Sequence, residues 1–332
     1  TPGVSSASNS LSESYPNIVV FTADGVNAEN MSLYGYERET TPFLDSQKSK
    51  LIIIQNHFTS SGNTTGSIVS MMTGKYPTTT RVLYPPDLLR GMDSTEHLPG
   101  ILKGLGYYTA QYAVDHYIDS TAQNLQYGFD ESNENQKQVL FTNNYINNRF
   151  PENSRLFLIE IEIRLVTRLK HMFFVNTIEN TFLQITKIQR NFDDTEKVIK
   201  LIDVIKRKSE PVFIHIHWMG THGSKFFPDT VKYSIGIDRD SQPLWNLELY
   251  DDAIIDVDAG LKLLFDGLSE IDELENTMVL FTSDHGQQWS VDDRLPLLIY
   301  APFIKAQSSP TDNTQSIDIP PTILDLLNVE QP

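Results

Sequence analysis

Six short runs of apolar, largely β-branched residues recur along the chain and dominate what it can fold into: "NIVVFTAD" (17–24), "LIIIQNHF" (51–58), "YYTAQYAV" (107–114), "PVFIHIHW" (211–218), "TMVLFTSD" (277–284) and "LPLLIYAP" (295–302). Their hydrophobicity is continuous rather than alternating, which predicts strands buried on both faces. Helical patterns lie between them. In "TEHLPGILKGLG" (95–106) the residues Leu98, Ile101, Leu102 and Leu105 share one face and Gly106 marks a stop. From Tyr250 to Leu268, Ile254, Val257, Leu261, Leu264, Phe265 and Leu268 follow the spacing of a half-buried helix. Strands alternating with covering helices predict an α/β fold around a largely parallel central sheet.

Composition narrows the function. Across 332 residues, 26 Lys plus Arg face 43 Asp plus Glu, a formal charge of -17, which repels a phosphate backbone and argues against a nucleic-acid partner. With no cysteine, disulfides, thiolate metal sites and cysteine nucleophiles are excluded together. No uncharged apolar run approaches the roughly 20 residues needed to span a bilayer. The opening "TPGVSSASNSLSESYP" is polar and Ser-rich, and residues 1–15 read as a flexible stem or linker. The segment from about 150 to 208, with "RLFLIEIEIRLVTRLKHMFFVNTIENTFLQI" at its centre, mixes apolar residues with regularly placed charges. It reads as part of a helical insertion at about 131–208, or as an amphipathic surface facing a membrane or protein partner.

Ligands of open α/β sheets bind beyond the carboxyl ends of the strands, so polar residues directly after the apolar runs are the candidates. Asp24 follows "NIVVFTA", Asp284 and His285 follow "TMVLFTS", and His217 and His222 close "PVFIHIHWMGTH". Singly, each has an ordinary reading, since Asp after a strand commonly caps or turns the chain and a His-Gly pair commonly ends a strand. Two carboxylates and an imidazole delivered to one sheet edge instead form a plausible oxygen- and nitrogen-rich cation site. In "NHFTSSGNTTGSIVSMMTGKYP" (56–77), Thr64 to Ser67 stand where a helix begins. Its unpaired N–H groups suit a phosphate- or sulfate-like anion, and a Thr hydroxyl there is either a nucleophile or a helix cap.

These pieces, in this order, resemble the sulfatase and alkaline phosphatase superfamily. "YPNIVVFTADGVNAENMSLYGYERETTPFLDS" is similar to its opening strand and metal carboxylate, and "TTGSIVSMMTGKYP" to its nucleophile helix; "LKGLGYYTAQY" and "YGFD" (127–130) are similar to the next strand and signature. "VLFTSDHGQ" is similar to the second metal segment, "RLPLLIYAP" to the strand after it, and "QSIDIPPTILDLLNV" to the closing helix. The resemblance implies an alkaline-phosphatase-like three-layer sandwich over 16–330. It implies one divalent ion (Zn, Mn, Mg or Ca) on Asp24, Thr64, Asp284 and His285, with room for a second ion, and Thr64 as nucleophile. His222 and, more weakly, His116 would contact the transferred group; for His217, a substrate contact and strand packing weigh equally.

The departures select within the family. Formylglycine-dependent sulfatases need a Cys or Ser in a Cys/Ser-x-Pro-x-Arg run, whereas here the run is Thr64-Thr65-Gly66-Ser67-Ile68. Threonine cannot yield that aldehyde. The second Asp of the usual pair is Gly25, the Lys expected before His116 is Val114, and the loop after "DHGQQW" is short. A Thr nucleophile resembles the phosphoethanolamine and phosphoglycerol transferases of the cell envelope, which implies a phosphate-ester substrate, with a lipid or glycan as its bearer, and an extracytoplasmic or membrane-anchored location. Two rival readings stand beside a phosphoryl or phosphodiester transferase or hydrolase: a sulfuric ester hydrolase, and a surface or envelope binding module on a catalytically decayed fold.

Overall fold

The computed structural model describes residues 15–113, 117–118, 120–121, 123–132, 194–304 and 310–329, with scattered positions between 154 and 173. Residues 1–14, which carry nearly all of the expected stem, and His116 and Val114 lie outside the described residues. The chain divides into two compact units, Thr1–Ser132 with Asp193–Pro332, and Asn133–Phe192. In the second, the described positions Phe157, Ile161, Leu165, Leu169 and Met172 are helical and exposed.

Among the described residues the first unit holds eight strands: β1 (Asn17–Ala23), β2 (Leu51–Phe58), β3 (Tyr108–Tyr112), β4 (Glu131–Ser132), β5 (Val212–Trp218), β6 (Thr277–Ser283), β7 (Leu295–Tyr300) and β8 (Asn313–Gln315). All six apolar runs contribute a strand. They form one sheet in the order β4-β3-β5-β1-β6-β7-β2-β8. It is largely parallel, as the continuous hydrophobicity predicts; only β7 runs antiparallel to its neighbours β6 and β2.

Seven α-helices are described: α1 (Pro42–Gln47), α2 (Thr64–Thr73), α3 (Pro77–Thr80), α4 (Leu98–Gly104), α5 (Asp194–Arg207), α6 (Leu247–Glu270) and α7 (Ile319–Leu326). The two-residue period of the strands sorts the core into two layers. Val19, Phe21 and Ala23 of β1, with Val279 and Phe281 of β6, pack against Leu201 of α5 and Leu261 of α6. Ile18 and Val20, with Met278 and Leu280, pack against Ile68 and Met72 of α2, Leu102 of α4 and Ile323 of α7. Helices on both faces of the sheet make the expected three-layer sandwich.

Helix α6 also anchors loops through buried carboxylates. Asp252 accepts the N–H groups of Lys232, Tyr233 and Ser234, and Asp258 accepts those of Phe43 and Leu44 at the start of α1, at 2.7 and 3.0 Å. Each satisfies backbone donors that burial would otherwise leave unpaired.

Candidate active site

The same period that builds the core builds the site. Even-numbered residues of β1 face α2, so beyond Ile18 and Val20 come Thr22 and Asp24. On β6, Thr282 and Asp284 follow Met278 and Leu280, and on β5, His215 and His217 follow Phe213. Toward the carboxyl ends of three adjacent strands the apolar face is replaced by polar groups. Thr22 stands beside both His217 and Thr282 in register, and the Asp284 N–H bonds the Ala23 carbonyl at 3.2 Å. Asp24 and Asp284 therefore emerge side by side, although 260 positions separate them in sequence.

The ligand atoms of Asp24, Asp284 and His285 lie within 4.8 Å of one another, all buried. Asp284 Oδ1 accepts from Gly25 N–H (3.1 Å) and its own neighbour's N–H at His285 (2.9 Å), leaving Oδ2 bare. The Gly286 carbonyl can only accept, so the His285 Nδ1 beside it at 2.9 Å is the protonated nitrogen and Nε2 carries the lone pair. That lone pair faces Asp284 Oδ2 at 3.4 Å, Asp24 Oδ1 at 3.9 Å and the Thr64 hydroxyl at 3.3 Å.

Hydrogen-bond bookkeeping on β5 and β1 points the same way. The single Thr22 hydroxyl hydrogen goes to the Ile216 carbonyl (3.2 Å), so the hydroxyl oxygen receives protons from His215 Nε2 (3.0 Å) and His217 Nδ1 (2.7 Å). His215 Nδ1 then accepts from the Gln111 amide at 3.1 Å, and burial keeps His215 well below the usual imidazole range. His217 Nε2 is left as a bare lone pair, 3.6 Å from Asp24 Oδ2.

Four buried atoms without a hydrogen-bond partner thus face one another: Asp24 Oδ2, Asp284 Oδ2, His217 Nε2 and His222 Nδ1. His222 Nδ1 lies 3.0 Å from Asp24 Oδ2, close enough for strong electrostatic attraction. Orphaned buried acceptors cost several kcal/mol unless a cation binds them. Hard oxygens with imidazole nitrogen and no sulfur suit a divalent ion, so the residues fit the metal that the sequence implies.

Electrostatics separate the two acids. Burial alone would raise both, but His222 and His285 outweigh it at Asp24 and hold that carboxyl well below the usual range. At Asp284 burial prevails and the group is pushed up, countered in part by His285 and reinforced by Asp24. Burial pushes His222 and His285 down, yet Asp24 at the first and Asp284 with Asp24 at the second reverse the direction and raise them. The cluster keeps its negative charge mainly on Asp24 and attracts a positive charge.

Thr64 opens α2. The helix is capped by Asn63 without a side-chain hydrogen bond, so Thr64 is not the cap and its hydroxyl is turned to His285. Thr65 is used otherwise, donating to the Tyr117 carbonyl at 2.9 Å. The first-turn N–H groups have no intrahelical acceptor. Gly66 has a steric reason, because a Cβ there would lie 2.7 Å from Ser61 Oγ. Of the departures, Ile68 is fully buried in the apolar layer, and Gly25, at φ +63°, contributes a backbone N–H to Asp284 in place of a carboxylate.

Two residues escaped the sequence reading. Asp194 accepts the N–H groups of Met219 and Gly220, both at 2.9 Å, while Lys197 pairs with Asp194 (2.6 Å) and donates to the His217 carbonyl (2.8 Å). Together they clamp the turn between His217 and His222. His217 is fully buried beneath Asp24, whereas the His222 side chain is 14% exposed.

The sulfatase family profile matches residues 16–329. The chain belongs to the sulfatase family. Among curated relatives, this sulfatase-family chain is 22% identical over 351 aligned residues to an arylsulfatase of Hemicentrotus pulcherrimus, covering 94% of the chain but only 58% of that protein. Its fold is shared with the phosphonate monoester hydrolase of Agrobacterium radiobacter at a TM-score of 0.62 and 17% identity, covering 95% of this chain and 74% of that one. It is shared also with the C-terminal periplasmic domain of EcEptC from Escherichia coli, solved in complex with Zn, at a TM-score of 0.60 and 17% identity, covering 96% and 84%. Among the described residues no helix is long and apolar enough to cross a membrane.

Proposed function

We propose that this sulfatase-family chain transfers or hydrolyses phosphate esters, with the Thr64 hydroxyl as nucleophile. The observation that carries the reading is the Thr64 hydroxyl at the N-terminus of α2, 3.3 Å from the Nε2 lone pair of His285 and beside two buried carboxylates with bare oxygens. A divalent ion held by Asp24, Thr64, Asp284 and His285 would supply Lewis-acid polarisation and a lowered hydroxyl pKa. EcEptC crystallised with Zn, which makes Zn a first candidate here.

In this reading the Thr64 oxygen forms a bond to phosphorus as the bond to the ester alcohol breaks, and the alcohol leaves carrying a proton. Water or an acceptor alcohol then displaces the phosphoryl group and restores Thr64. His285, its tautomer fixed by the Gly286 carbonyl, turns Nε2 toward the Thr64 hydroxyl, and the two would hold the ion between them. The open N–H groups of α2 and the Asp24-paired His222 face the charge that develops on the transferred group. His217 lies deeper and serves by shaping the floor beneath Asp24.

The relatives bearing sulfatase names favour a second reading, sulfate esters, by the same in-line displacement without formylglycine. Purified protein assayed with aryl phosphate, bis-aryl phosphate and aryl sulfate separates them: turnover of phosphates lost in Thr64→Ala supports the proposal, and sulfate turnover alone contradicts it. Metal-free protein indifferent to Thr64→Ala would instead be the binding module. The periplasmic EcEptC domain supports an extracytoplasmic location. We further propose that the exposed apolar positions from Phe157 to Met172 face a partner or membrane.

A further inference from the structure

Of the seven described non-glycine residues with left-handed backbone, three stand on loops beside the cluster: Trp245 at φ 59°, Gln288 at φ 58° and Trp289 at φ 61°. Such outliers persist only where the surroundings enforce them, and they concentrate at functional sites. Here they bring two tryptophans together edge to face, with ring centroids 5.5 Å apart at 88°. Trp289 nevertheless leaves 50% of its surface exposed.

The loops that carry the pair are tied, directly or through a neighbour, to the segments that carry the candidate site residues. On the Thr64 side, a Cβ on Gly62 would overlap the Trp289 carbonyl oxygen. On the His285 side, Gly286 N–H donates to the Ser290 carbonyl at 2.9 Å, closing the turn that carries Trp289. On the His222 side, Trp245 N–H donates to the Ser224 carbonyl at 2.7 Å. On the Asp24 side, Trp245 packs on Phe226 and Phe226 on Tyr250, whose hydroxyl donates to the Gly25 carbonyl at 2.7 Å. Asn27 ties the Asp24 side to the His285 side by accepting Gln287 N–H at 2.9 Å.

Trp289 is therefore an exposed aromatic residue on a braced loop whose backbone meets the segments leading to Thr64 and His285. We propose that Trp289, braced by Trp245, is a stacking platform for the alcohol part of the substrate, and that this alcohol carries a ring with an apolar face, either a pyranose or an aryl ring. The inference rests on the reading of Thr64 and its neighbours as an anionic-ester site, whose tetrahedral head the platform would flank. Flat apolar faces gain from aromatic stacking, whereas a methyl or ethyl group covers too little of the indole to do so.

The test is equilibrium binding of phosphonates, whose carbon–phosphorus bond does not turn over, to Zn-loaded protein by calorimetry. Phenylphosphonate and a C-glucopyranosyl-CH2-phosphonate, in which a methylene carbon joins the sugar ring to phosphorus, are compared with methylphosphonate. At least one ring-bearing ligand is expected to bind about tenfold tighter than methylphosphonate, and the tighter of the two identifies the ring. Trp289→Gly, which accepts the left-handed backbone without strain, should erase that preference, and Trp289→Phe should restore most of it. Equal binding of all three ligands by the native protein, or a preference that survives Trp289→Gly, overturns the platform while leaving the anion site intact. No binding by any of the three overturns the anion-site reading and the platform with it.

Discussion

Lys197 on α5 donates to the carbonyl of His217, 20 residues away, while its partner Asp194 receives the N–H groups of Met219 and Gly220. A helix of the opposite layer thereby fixes the turn that carries His222 to Asp24. Truncating Lys197 to Met leaves Asp194 a buried carboxylate without its ion-pair partner, which costs about 3 kcal/mol of stability. If the pair positions His222, Lys197→Arg should recover kcat more fully than it recovers the melting temperature. Equal recovery of both would mean the pair is structural alone.

The bare oxygens of Asp24 and Asp284 predict that the folded protein gains stability from a divalent ion. At one hundred times Kd that gain is about 2.7 kcal/mol, several degrees in Tm by scanning calorimetry with and without chelator. Asp284→Asn should abolish the metal-dependent gain. The same substitution should leave the metal-free protein as stable as the parent or more so, because it relieves two buried carboxylates facing each other. A metal-free Asp284→Asn protein markedly less stable than its parent would argue for a purely structural carboxylate.

Asp258 predicts a pH dependence remote from the cluster. Burial pushes its carboxyl up from 3.8 to about 6, against the pull of the Leu44 and Phe43 N–H groups. The folded state thus holds this proton more tightly than the unfolded state does. Its contribution is fully present below about pH 3.8 and is lost as pH rises through about 6, a change of about 3 kcal/mol by linkage. Denaturant midpoints across this window should fall more for the parent than for Asp258→Asn; parallel profiles would remove Asp258 from the account.

Thr22 predicts that the histidine floor is a unit. Thr22→Val keeps the volume but removes the oxygen that receives protons from His215 and His217, stranding two buried donors at about 1–3 kcal/mol each. It should weaken metal binding as well as stability, measured by zinc titration of the folded protein. Unchanged zinc affinity would show that His217 does not need Thr22 to hold its orientation.

Much of this was legible before any coordinates. The runs "NIVVFTA" and "TMVLFTS" are apolar on both alternating sets of residues, so their central placement follows from composition, and Asp24, Asp284 and His285 follow from standing at their ends. Thr64 was legible from the apolar turn after it. What the sequence hid are contacts made across elements. Nothing local marks β7 as the antiparallel strand, since its pattern is as apolar as its neighbours'. Asp194 and Lys197 sit in a segment of ordinary charged helix, and their task is set by where α5 packs. The Thr22 oxygen reads as one more β-branched strand residue until β5 lies beside it. Gln288, Trp289 and Trp245 carry no glycine-like signal for the left-handed backbone they adopt, because tertiary packing imposes it.

Rapid-quench digestion and mass spectrometry of metal-loaded protein during turnover of an aryl phosphate tests the central claim most directly. The account predicts a phosphoryl adduct on the peptide spanning Thr64, absent from Thr64→Ala, with turnover by that variant reduced by about a thousandfold or more. Steady turnover by Thr64→Ala at the parent rate, or an adduct confined to another residue, would contradict it.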